Sequence, residues 1–280
     1  MSIVTTIPRG WNASDIGDLT GKSFLITGGT SGIGKEAALE LARAGAHVTI
    51  TARDAAKGAA VVAEIAKESV DFKLLDLADL ASVKKFAKEF TKPVDVLILN
   101  AGVMATPFSL TKDGFEMQMG TNHLGHFALT GLLREKVSER IVAVSSQMHR
   151  AARISGITSD ELRNRSRGIG AYNPWSAYAL SKLANLLFIH EFERRSNRNN
   201  WNIEAVAAHP IMLPQATSTG ISNSDVTSTV VILAMITAGS AKFRTYFSAN
   251  QISFGGTDTN EPMSQHTRNV ATTMKITLRT

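Results

Sequence analysis

A phenol and an ammonium group lie four residues apart in the run Tyr178-Ala-Leu-Ser-Lys182. In a helix, residues i and i+4 share one face, so this spacing predicts that Lys182 lies beside Tyr178. A free phenol has a pKa of about 10 and is a poor base at neutral pH. Because a neighbouring cation favours the ionised form, the pair predicts a tyrosine that exchanges a proton with a substrate oxygen.

Three further polar groups precede this tyrosine in the chain. A serine pair that ends in Ser146 closes one strand-like run, and Asn100-Ala101-Gly102 follows another directly. Asn122 lies within a later helical pattern. Because open parallel sheets bind ligands at the carboxyl ends of their strands, we expect these groups to line the same site as Tyr178.

A glycine-rich run follows the first apolar strand and leads straight into a helical pattern. Glycines there allow a tight turn and a close approach of the backbone to a pyrophosphate, and the start of a helix favours an anion. Since the strand before it and the helix after it are both present, we interpret the run as a dinucleotide-binding turn. Its residues are Thr27, Gly28, Gly29, Thr30, Ser31, Gly32, Ile33 and Gly34.

The end of the second predicted strand indicates which dinucleotide is bound. Enzymes that use NAD usually carry an acidic residue there for the ribose 2′-hydroxyl, but this chain has Ala52 followed by Arg53. An arginine suits a 2′-phosphate through charge-assisted hydrogen bonds, and Lys35 and Lys57 add positive charge nearby. Asp54 is interpreted as the N-cap of the next helix. The sequence therefore predicts NADP(H) rather than NAD(H).

Short apolar strands alternate with helical patterns over residues 23–208. Strands buried on both faces and separated by helices are typical of a parallel sheet, so we predict a doubly wound α/β Rossmann fold. A single domain is expected over 1–280, with an N-terminal extension at 1–20 and a divergent substrate-side region at 210–280. Predicted strands are 23–27, 47–51, 72–75, 94–99, 140–144 and 203–208; predicted helices are 35–44, 55–67, 80–90, 115–133 and 176–195, with a further helix at 226–238 and strand at 246–254.

The composition excludes several classes of protein. The net charge is +6, but the basic residues are scattered and lack aromatic partners, so nucleic-acid binding is not expected. The chain has no cysteine, and His123 and His126 lack companion carboxylates, so no metal site is expected. Both histidines are interpreted as packing and hydrogen-bonding residues. No signal sequence or transmembrane span is visible, which indicates a soluble, cytoplasmic protein.

Taken together, these motifs resemble the short-chain dehydrogenase/reductase family over about residues 20–210. Thr27 to Gly34 matches the TGxxxGxG motif, Asn100 to Gly102 the NAG motif, and Tyr178 to Lys182 the YxxxK motif. The runs Asn122 to Phe127 and Ser181 to Phe188 are similar to the branch of retinol dehydrogenases and protochlorophyllide reductases.

The resemblance implies roles for individual residues. Tyr178 would be the general acid/base, Lys182 would lower its pKa and bind the nicotinamide ribose, and Ser146 would hydrogen-bond the substrate oxygen. Asn122 would hold a water in a proton relay through Lys182. Further cofactor contacts are implied for Asp76 near the adenine, for Asn100 near the adenosine ribose, and for Leu77, Ala101 and Gly102.

Two segments depart from the family's pattern. After the sixth strand the family has Pro-Gly and then a threonine for the nicotinamide carboxamide, but here Ile211 follows Pro210 and the nearest threonine is Thr217. Because isoleucine does not adopt a positive φ cheaply, this loop is expected to differ in shape. The long insert at 148–175, between Ser146 and Tyr178, is hypothesised to form part of a lid over the substrate.

The predicted function is reversible oxidoreduction of a carbonyl and an alcohol on a lipophilic substrate with NADP(H), by hydride transfer. Two alternatives stay open. One is a reductase of C=C bonds, light-driven or otherwise, and the other is a non-catalytic NADP(H)-binding regulatory protein. The resemblance leaves a homodimer and a homotetramer as candidate assemblies, and the branch also includes monomers.

Overall fold

The computed structural model of the protein describes residues 12–152 and 172–208. Its strands are β1 Ser23–Ile26, β2 His47–Ala52, β3 Val70–Leu74, β4 Val94–Leu99, β5 Val137–Val144 and β6 Glu204–Ala208. Its helices are α1 Gly32–Arg43, α2 Ala55–Ile65, α3 Leu80–Glu89, the short α4 Met117–Met119, α5 Gly125–Leu133 and α6 Pro174–Asn199. A π-helical turn, Gly120–Leu124, joins α4 to α5, and 3₁₀ turns lie at Ala13–Asp15, Arg134–Lys136 and Gln147–Ala151.

The six strands described form one parallel sheet in the order β3-β2-β1-β4-β5-β6. The chain winds outward from β1 in one direction through β2 and β3, and in the other through β4, β5 and β6. Ile26 of β1 pairs with Ile98 of β4 at the point where the direction reverses. The loops after β1 and β4 therefore border a crevice, which is where open α/β sheets bind ligands.

Burial on both faces makes the strands nearly continuous in apolar residues. Leu25 and Leu97 pack on one face with α3, α5 and α6. Ile26 and Ile98 pack on the other with α1 and α2. Because neighbouring residues of a strand point to opposite faces, both layers of helices are covered by alternate residues of the same strands. The doubly wound Rossmann fold predicted from the sequence is confirmed.

The local signals for helix ends also agree with the structure. The Asp54 side chain accepts a hydrogen bond from the Lys57 amide at 2.8 Å and caps α2, as predicted. Gly45, after the last turn of α1, has φ +93° and ends that helix. Strand β4 has the predicted bounds, and each bound of the other predicted strands and helices lies within four residues of the observed one.

The predicted helix over 115–133 is the main difference in shape. The structure begins this helix at Met117 and inserts the π-helical turn before α5. A π turn closes its hydrogen bonds over one residue more than an α turn, so apolar periodicity does not reveal it. The expected helix at 226–238 and strand at 246–254 lie outside the described residues. In the part of the chain that is described, no helix is both long and apolar enough to cross a membrane.

The buried centre of β1 sets a testable expectation for stability. Leu25 is fully buried, so Leu25→Ala is expected to lower the free energy of unfolding by about 2–5 kcal/mol. Urea titration followed by circular dichroism measures this change. Leu132 is 48% exposed on α5, so Leu132→Ala should change the free energy by less than about 0.5 kcal/mol. Equal losses in the two variants would contradict the assigned core.

Candidate active site

The turn after β1 is shaped by glycines that no other residue can replace without movement. Gly28 has φ +68°, and a Cβ there would lie 2.8 Å from the Cα of Ala101. A Cβ on Gly34, in the first turn of α1, would lie 2.4 Å from the Asn100 amide nitrogen and from the Gly28 carbonyl oxygen. The helix start and the turn are therefore closely packed against the end of β4. This open backbone at a helix N-terminus fits a pyrophosphate.

Thr27 and Asn100 fasten this turn to the end of β4. The Thr27 hydroxyl oxygen accepts the backbone amides of Asn100 and Ala101 at 2.9 and 3.0 Å. In return, the Asn100 side-chain amide donates to the carbonyl oxygens of Thr27 and Gly28 at 2.9 and 3.1 Å. The Asn100 side-chain amide thus donates both of its hydrogens within the protein. Asn100 therefore holds the glycine-rich turn in place.

The residues predicted to determine the specificity for NADP(H) over NAD(H) lie at the end of β2. Ala52 is buried and the following Arg53 is exposed. Lys35, predicted as a second source of positive charge, instead forms an ion pair with Glu64 at 2.5 Å. Arg53 therefore carries the argument for a 2′-phosphate.

The end of β3 meets helix α5 at very short range. The Asp76 carboxylate accepts the Ala78 amide at 2.9 Å and shapes the turn. Leu77 is 5% exposed, and a Cβ on Gly125 would lie 2.4 Å from its carbonyl oxygen. Only glycine at the first position of α5 allows this contact, which draws the helix against the sheet edge.

Tyr178 and Ser146 come together although 32 residues separate them in the chain (178 − 146). Tyr178 lies in the second turn of α6 and is 9% exposed. Ser146 follows β5 and caps a 3₁₀ turn, with its hydroxyl accepting the Met148 amide at 3.2 Å. Burial raises the pKa of the Tyr178 phenol, and a hydrogen bond with Ser146 acts in the lowering direction. The net direction is opposite to the lowering expected from Lys182, because the phenol loses solvent.

Lys182 is buried beside the tyrosine. Its ammonium lies 5.6 Å from the centre of the Tyr178 ring and donates to the Val144 carbonyl oxygen at 3.0 Å. The residue is 4% exposed, and burial lowers the pKa of Lys182 to about 8. A charge held in this position with one carbonyl partner destabilises the fold, which is common at functional sites.

Asn122, in the π-helical turn, is fully buried. Its side chain accepts the Val103 amide at 2.8 Å and donates to the Val103 carbonyl and the Ser181 hydroxyl at 2.9 and 3.0 Å. A Cβ on Gly102 would lie 3.2 Å from the Asn122 amide oxygen and 3.6 Å from the Lys182 nitrogen. The loop after β4, the π-helical turn and α6 therefore meet at one place. The structure brings the Asn122 amide oxygen and the Lys182 nitrogen close to the same glycine.

Several residues of this network were not predicted as site residues. Ser181 donates to the Tyr178 carbonyl at 2.8 Å, and Asn185 donates to the Val144 carbonyl at 3.3 Å, beside Lys182. Both lie on α6 close to Lys182, and helical spacing from Lys182 is the signal that could have identified Asn185.

A buried amide also joins the loop after β4 to the start of α6. The Gln118 side chain accepts the Ala105 amide at 2.8 Å and donates to the Pro174 carbonyl and the Tyr172 hydroxyl, both at 2.9 Å. The Tyr172 hydroxyl also lies 2.9 Å from a carboxylate oxygen of Glu116. These contacts set where α6 begins, one turn before Tyr178. Sequence pattern has no signal for them, since the partners are distant in the chain.

Some predicted features lie outside the described residues. They are Ile211, Thr217, the divergent region at 210–280, and most of the insert at 148–175 with the lid that it is hypothesised to form. Within residues 12–152 and 172–208, no cluster of three or more His, Cys, Asp or Glu side chains is arranged to hold a metal ion.

Comparison with known proteins agrees with this fold. Residues 22–158 match the family model for short chain dehydrogenases. The chain belongs to the short-chain dehydrogenase/reductase family, whose members use NAD(P). Within it, the chain is 45% identical over 203 residues to human retinol dehydrogenase 11, covering 69% of this chain and 61% of that protein. It is 40% identical over 224 residues to human retinol dehydrogenase 13, covering 76% and 66%. It therefore falls in the retinol dehydrogenase-like branch, although it spans less than two thirds of either relative's length.

Solved structures show the same architecture. An uncharacterised protein from Mycobacterium paratuberculosis is 43% identical, with a TM-score of 0.72 and coverage of 82% of this chain and 81% of that one. A short chain dehydrogenase from Burkholderia cenocepacia J2315, solved in complex with NADP, is 25% identical, with a TM-score of 0.53 and coverage of 74% and 78%.

The buried lysine predicts a pH-dependent stability. Since burial lowers the pKa of Lys182 from 10.5 to about 8, its charge is a full cost below pH 8, where both folded and unfolded chains carry it. Between about pH 8 and 10.5 the unfolded chain binds more protons, so stability rises with pH. Lys182→Met is therefore expected to raise the free energy of unfolding by about 1–3 kcal/mol at pH 7, with a smaller gain at pH 10.

Urea titrations at the two pH values measure this difference. Lys85 is an exposed lysine on α3, and Lys85→Met serves as the matched control, for which no gain is expected. A loss of stability at pH 7 in Lys182→Met would show that the hydrogen bond to Val144 outweighs the cost of burial.

Proposed function

We propose that this protein is an NADP(H)-dependent oxidoreductase that interconverts a carbonyl and an alcohol on a lipophilic substrate. One observation carries the proposal: the Tyr178 phenol lies close enough to Ser146 for that hydroxyl to act on its pKa, and it lies beside the buried Lys182, at the edge of the sheet where the glycine-rich turn ends. A proton donor and a hydroxyl anchor thus stand together at the ligand-binding edge of a Rossmann fold. That combination is suited to protonating an oxygen while a hydride is transferred.

The proposal assigns a role in proton transfer to Ser146, Tyr178 and Lys182. Ser146 hydrogen-bonds the substrate oxygen, and Tyr178 donates its phenolic proton to that oxygen during reduction, or takes it back during oxidation. Lys182 supplies positive charge next to the phenol. It can also reprotonate the Tyr178 phenolate, because a pKa of about 8 lets Lys182 both bind and release a proton near neutral pH. When bound, the nicotinamide supplies or accepts the hydride.

The buried amide of Asn122 sets the relative position of the loop after β4 and of α6 through Val103 and Ser181. Since the Asn122 side chain is used in these contacts, we propose that the backbone of Asn122, rather than its side-chain amide, holds the relay water. Asn122 thereby keeps Lys182 and Tyr178 at a constant distance from the dinucleotide-binding edge.

Three residues support NADP(H) as the form of the dinucleotide. Ala52 leaves no carboxylate at the end of β2, Arg53 is exposed at that point, and Asp54 is used as a helix cap. A guanidinium binds a phosphate through two parallel hydrogen bonds. The related structure from Burkholderia cenocepacia holds NADP, in line with this assignment.

A lipophilic substrate is supported by the relatives and by exposed apolar residues. The similar human proteins are named retinol dehydrogenases. Met104, two residues after Gly102, is 59% exposed, and Trp175, three residues before Tyr178, is 51% exposed. Phe108, 49% exposed, packs edge-on against Tyr172 with ring centres 5.3 Å apart. Exposed large apolar side chains in segments that lead to a site suit an apolar ligand.

Removal of the phenolic hydroxyl tests the chemistry. In Tyr178→Phe, kcat for reduction of retinal or an aromatic aldehyde by NADPH is expected to fall at least about 100-fold, because the proton donor is lost. Oxidation of NADPH is followed by its absorbance, and NADPH affinity is expected to stay within a factor of about three.

Tyr172→Phe is the matched control for this experiment, since it removes a hydroxyl that serves the Gln118 and Glu116 contacts instead. It is expected to lower stability but to retain turnover. Full activity in Tyr178→Phe would overturn the mechanism. Turnover only on C=C bonds, or only under illumination, would favour the reductase alternative, and nucleotide binding without turnover on any carbonyl, alcohol or C=C substrate would favour the regulatory one.

A charge reversal tests the dinucleotide. Arg53→Asp is expected to weaken NADPH binding by about 10- to 100-fold while NADH binding stays equal or improves, because the variant repels a 2′-phosphate and offers a carboxylate to a 2′-hydroxyl. Fluorescence titration with each nucleotide gives the ratio of Kd values. Arg43, paired with Glu40 at the end of α1, provides the control Arg43→Asp with the same change in net charge. An unchanged ratio in Arg53→Asp would refute the assignment of NADP(H).

A further inference from the structure

A buried histidine lies between the two halves of the site. His126, in the first turn of α5, is 2% exposed. Its Nε2 atom lies 2.8 Å from the Thr27 hydroxyl oxygen at the start of the phosphate turn. Its Nδ1 atom lies 3.0 Å from the Asn122 carbonyl oxygen in the π-helical turn. One ring therefore spans the distance between residues that are 95 positions apart in the chain (122 − 27).

The partners of this ring determine where its proton lies. A carbonyl oxygen only accepts, so Nδ1 carries the hydrogen and donates to Asn122. Burial lowers the pKa of His126 to about 3, so the ring is neutral and its Nε2 accepts. The Thr27 hydroxyl oxygen already accepts two backbone amides. This oxygen lies closer to Nε2 of His126, at 2.8 Å, than to the Ile98 carbonyl oxygen, at 3.3 Å, so its hydrogen is donated to Nε2. The network is thus satisfied in one arrangement only.

Each end of this network controls a different part of the site. Thr27 holds the end of β4 and, with Asn100, the phosphate turn. Asn122 holds the loop after β4 at Val103 and the catalytic helix at Ser181. A link between Thr27 and Asn122 therefore joins the nucleotide-binding contacts to those that place Tyr178 and Lys182.

We propose that His126 is a positioning residue that locks the π-helical turn carrying Asn122 to the phosphate-binding turn at Thr27. The kinetic part of this inference rests on the proposed function, and the nucleotide-binding part does not. His126 touches neither substrate nor nucleotide in this role. It keeps the two edges of the site at one spacing, and the loss of either of its hydrogen bonds should affect a different step.

Two substitutions separate the two hydrogen bonds. The amide of asparagine reaches the place of Nδ1, so His126→Asn keeps a donor for the Asn122 carbonyl and loses the Thr27 contact. The longer glutamine reaches the place of Nε2, so His126→Gln keeps an acceptor for Thr27 and loses the Asn122 contact. His126→Asn is expected to weaken binding of NADPH, or of NADH if that binds more tightly, by about 10-fold with kcat nearly unchanged, and His126→Gln to lower kcat by about 10-fold with the affinity retained.

A double-mutant cycle tests the link itself. Thr27→Val removes the hydroxyl, and the double variant Thr27→Val, His126→Asn should bind the nucleotide no more weakly than the weaker single variant, because both remove the same contact. His123 is equally buried one turn earlier and bonds to Asn185. His123→Asn keeps that contact and is the matched control, expected to change stability but not nucleotide affinity.

The outcomes are distinct. The split between affinity and kcat, with coupling in the cycle, supports the proposal. Unchanged affinity and kcat in both His126 variants, with only a loss of stability by thermal unfolding, or additive effects in the cycle, would overturn it. If His126→Asn does not fold, His126→Gln tests the contact with Asn122, with a lower kcat and a retained nucleotide affinity as the expected result. If no carbonyl substrate is turned over, the proposed function fails, while the affinity measurements still decide the role of His126.

Discussion

The hydroxyl of Thr27 is the contact on which the site depends. It sits where β1 ends, accepts two backbone amides from the loop after β4 and donates to His126. The strands β1 and β4 are the neighbours between which the chain reverses its winding. The Thr27 oxygen therefore joins the two loops that border the ligand-binding crevice. The glycine-rich turn above it is then held by Asn100. Everything that binds or reacts at this edge is placed relative to these contacts.

The buried ionisable groups at this edge of the sheet destabilise the fold, and apolar packing elsewhere offsets that loss. Lys182 and Tyr178 are buried together, and burial disfavours the charged form of each: it lowers the pKa of the lysine and raises that of the tyrosine. Both shifts would be smaller on the surface, where water solvates charge. The two apolar layers on either side of the sheet supply the compensating burial. Burial of these two ionisable groups therefore destabilises the fold at the site, while hydrogen bonds hold the backbone around them in place.

Much of the fold and part of the site were predictable because their causes are local. Strand β4 and the cap at Asp54 follow from apolar runs and from the residues at their ends. The position of Gly28 and Gly34 in a strand-turn-helix context predicts a close backbone approach, and the structure shows what they approach, namely Ala101 and Asn100. Burial raises the pKa of the Tyr178 phenol in the structure, an effect that spacing along a helix does not reveal; the lower pKa expected from Lys182 together with the positive nicotinamide ring stays a prediction.

What the sequence determined by itself is the set of groups and the order of the elements that carry them: Tyr178 and Lys182 on one helix face, glycines after the first strand, and Arg53 after the second. These depend on helical spacing and on the alternation of strands with helices. Only the tertiary structure decided that Ser146 lies near Tyr178, that Asn122 and Lys182 lie close to Gly102, and that His126 joins Thr27 to Asn122. Such contacts arise when distant segments pack together, and packing depends on the whole chain rather than on any single run of residues.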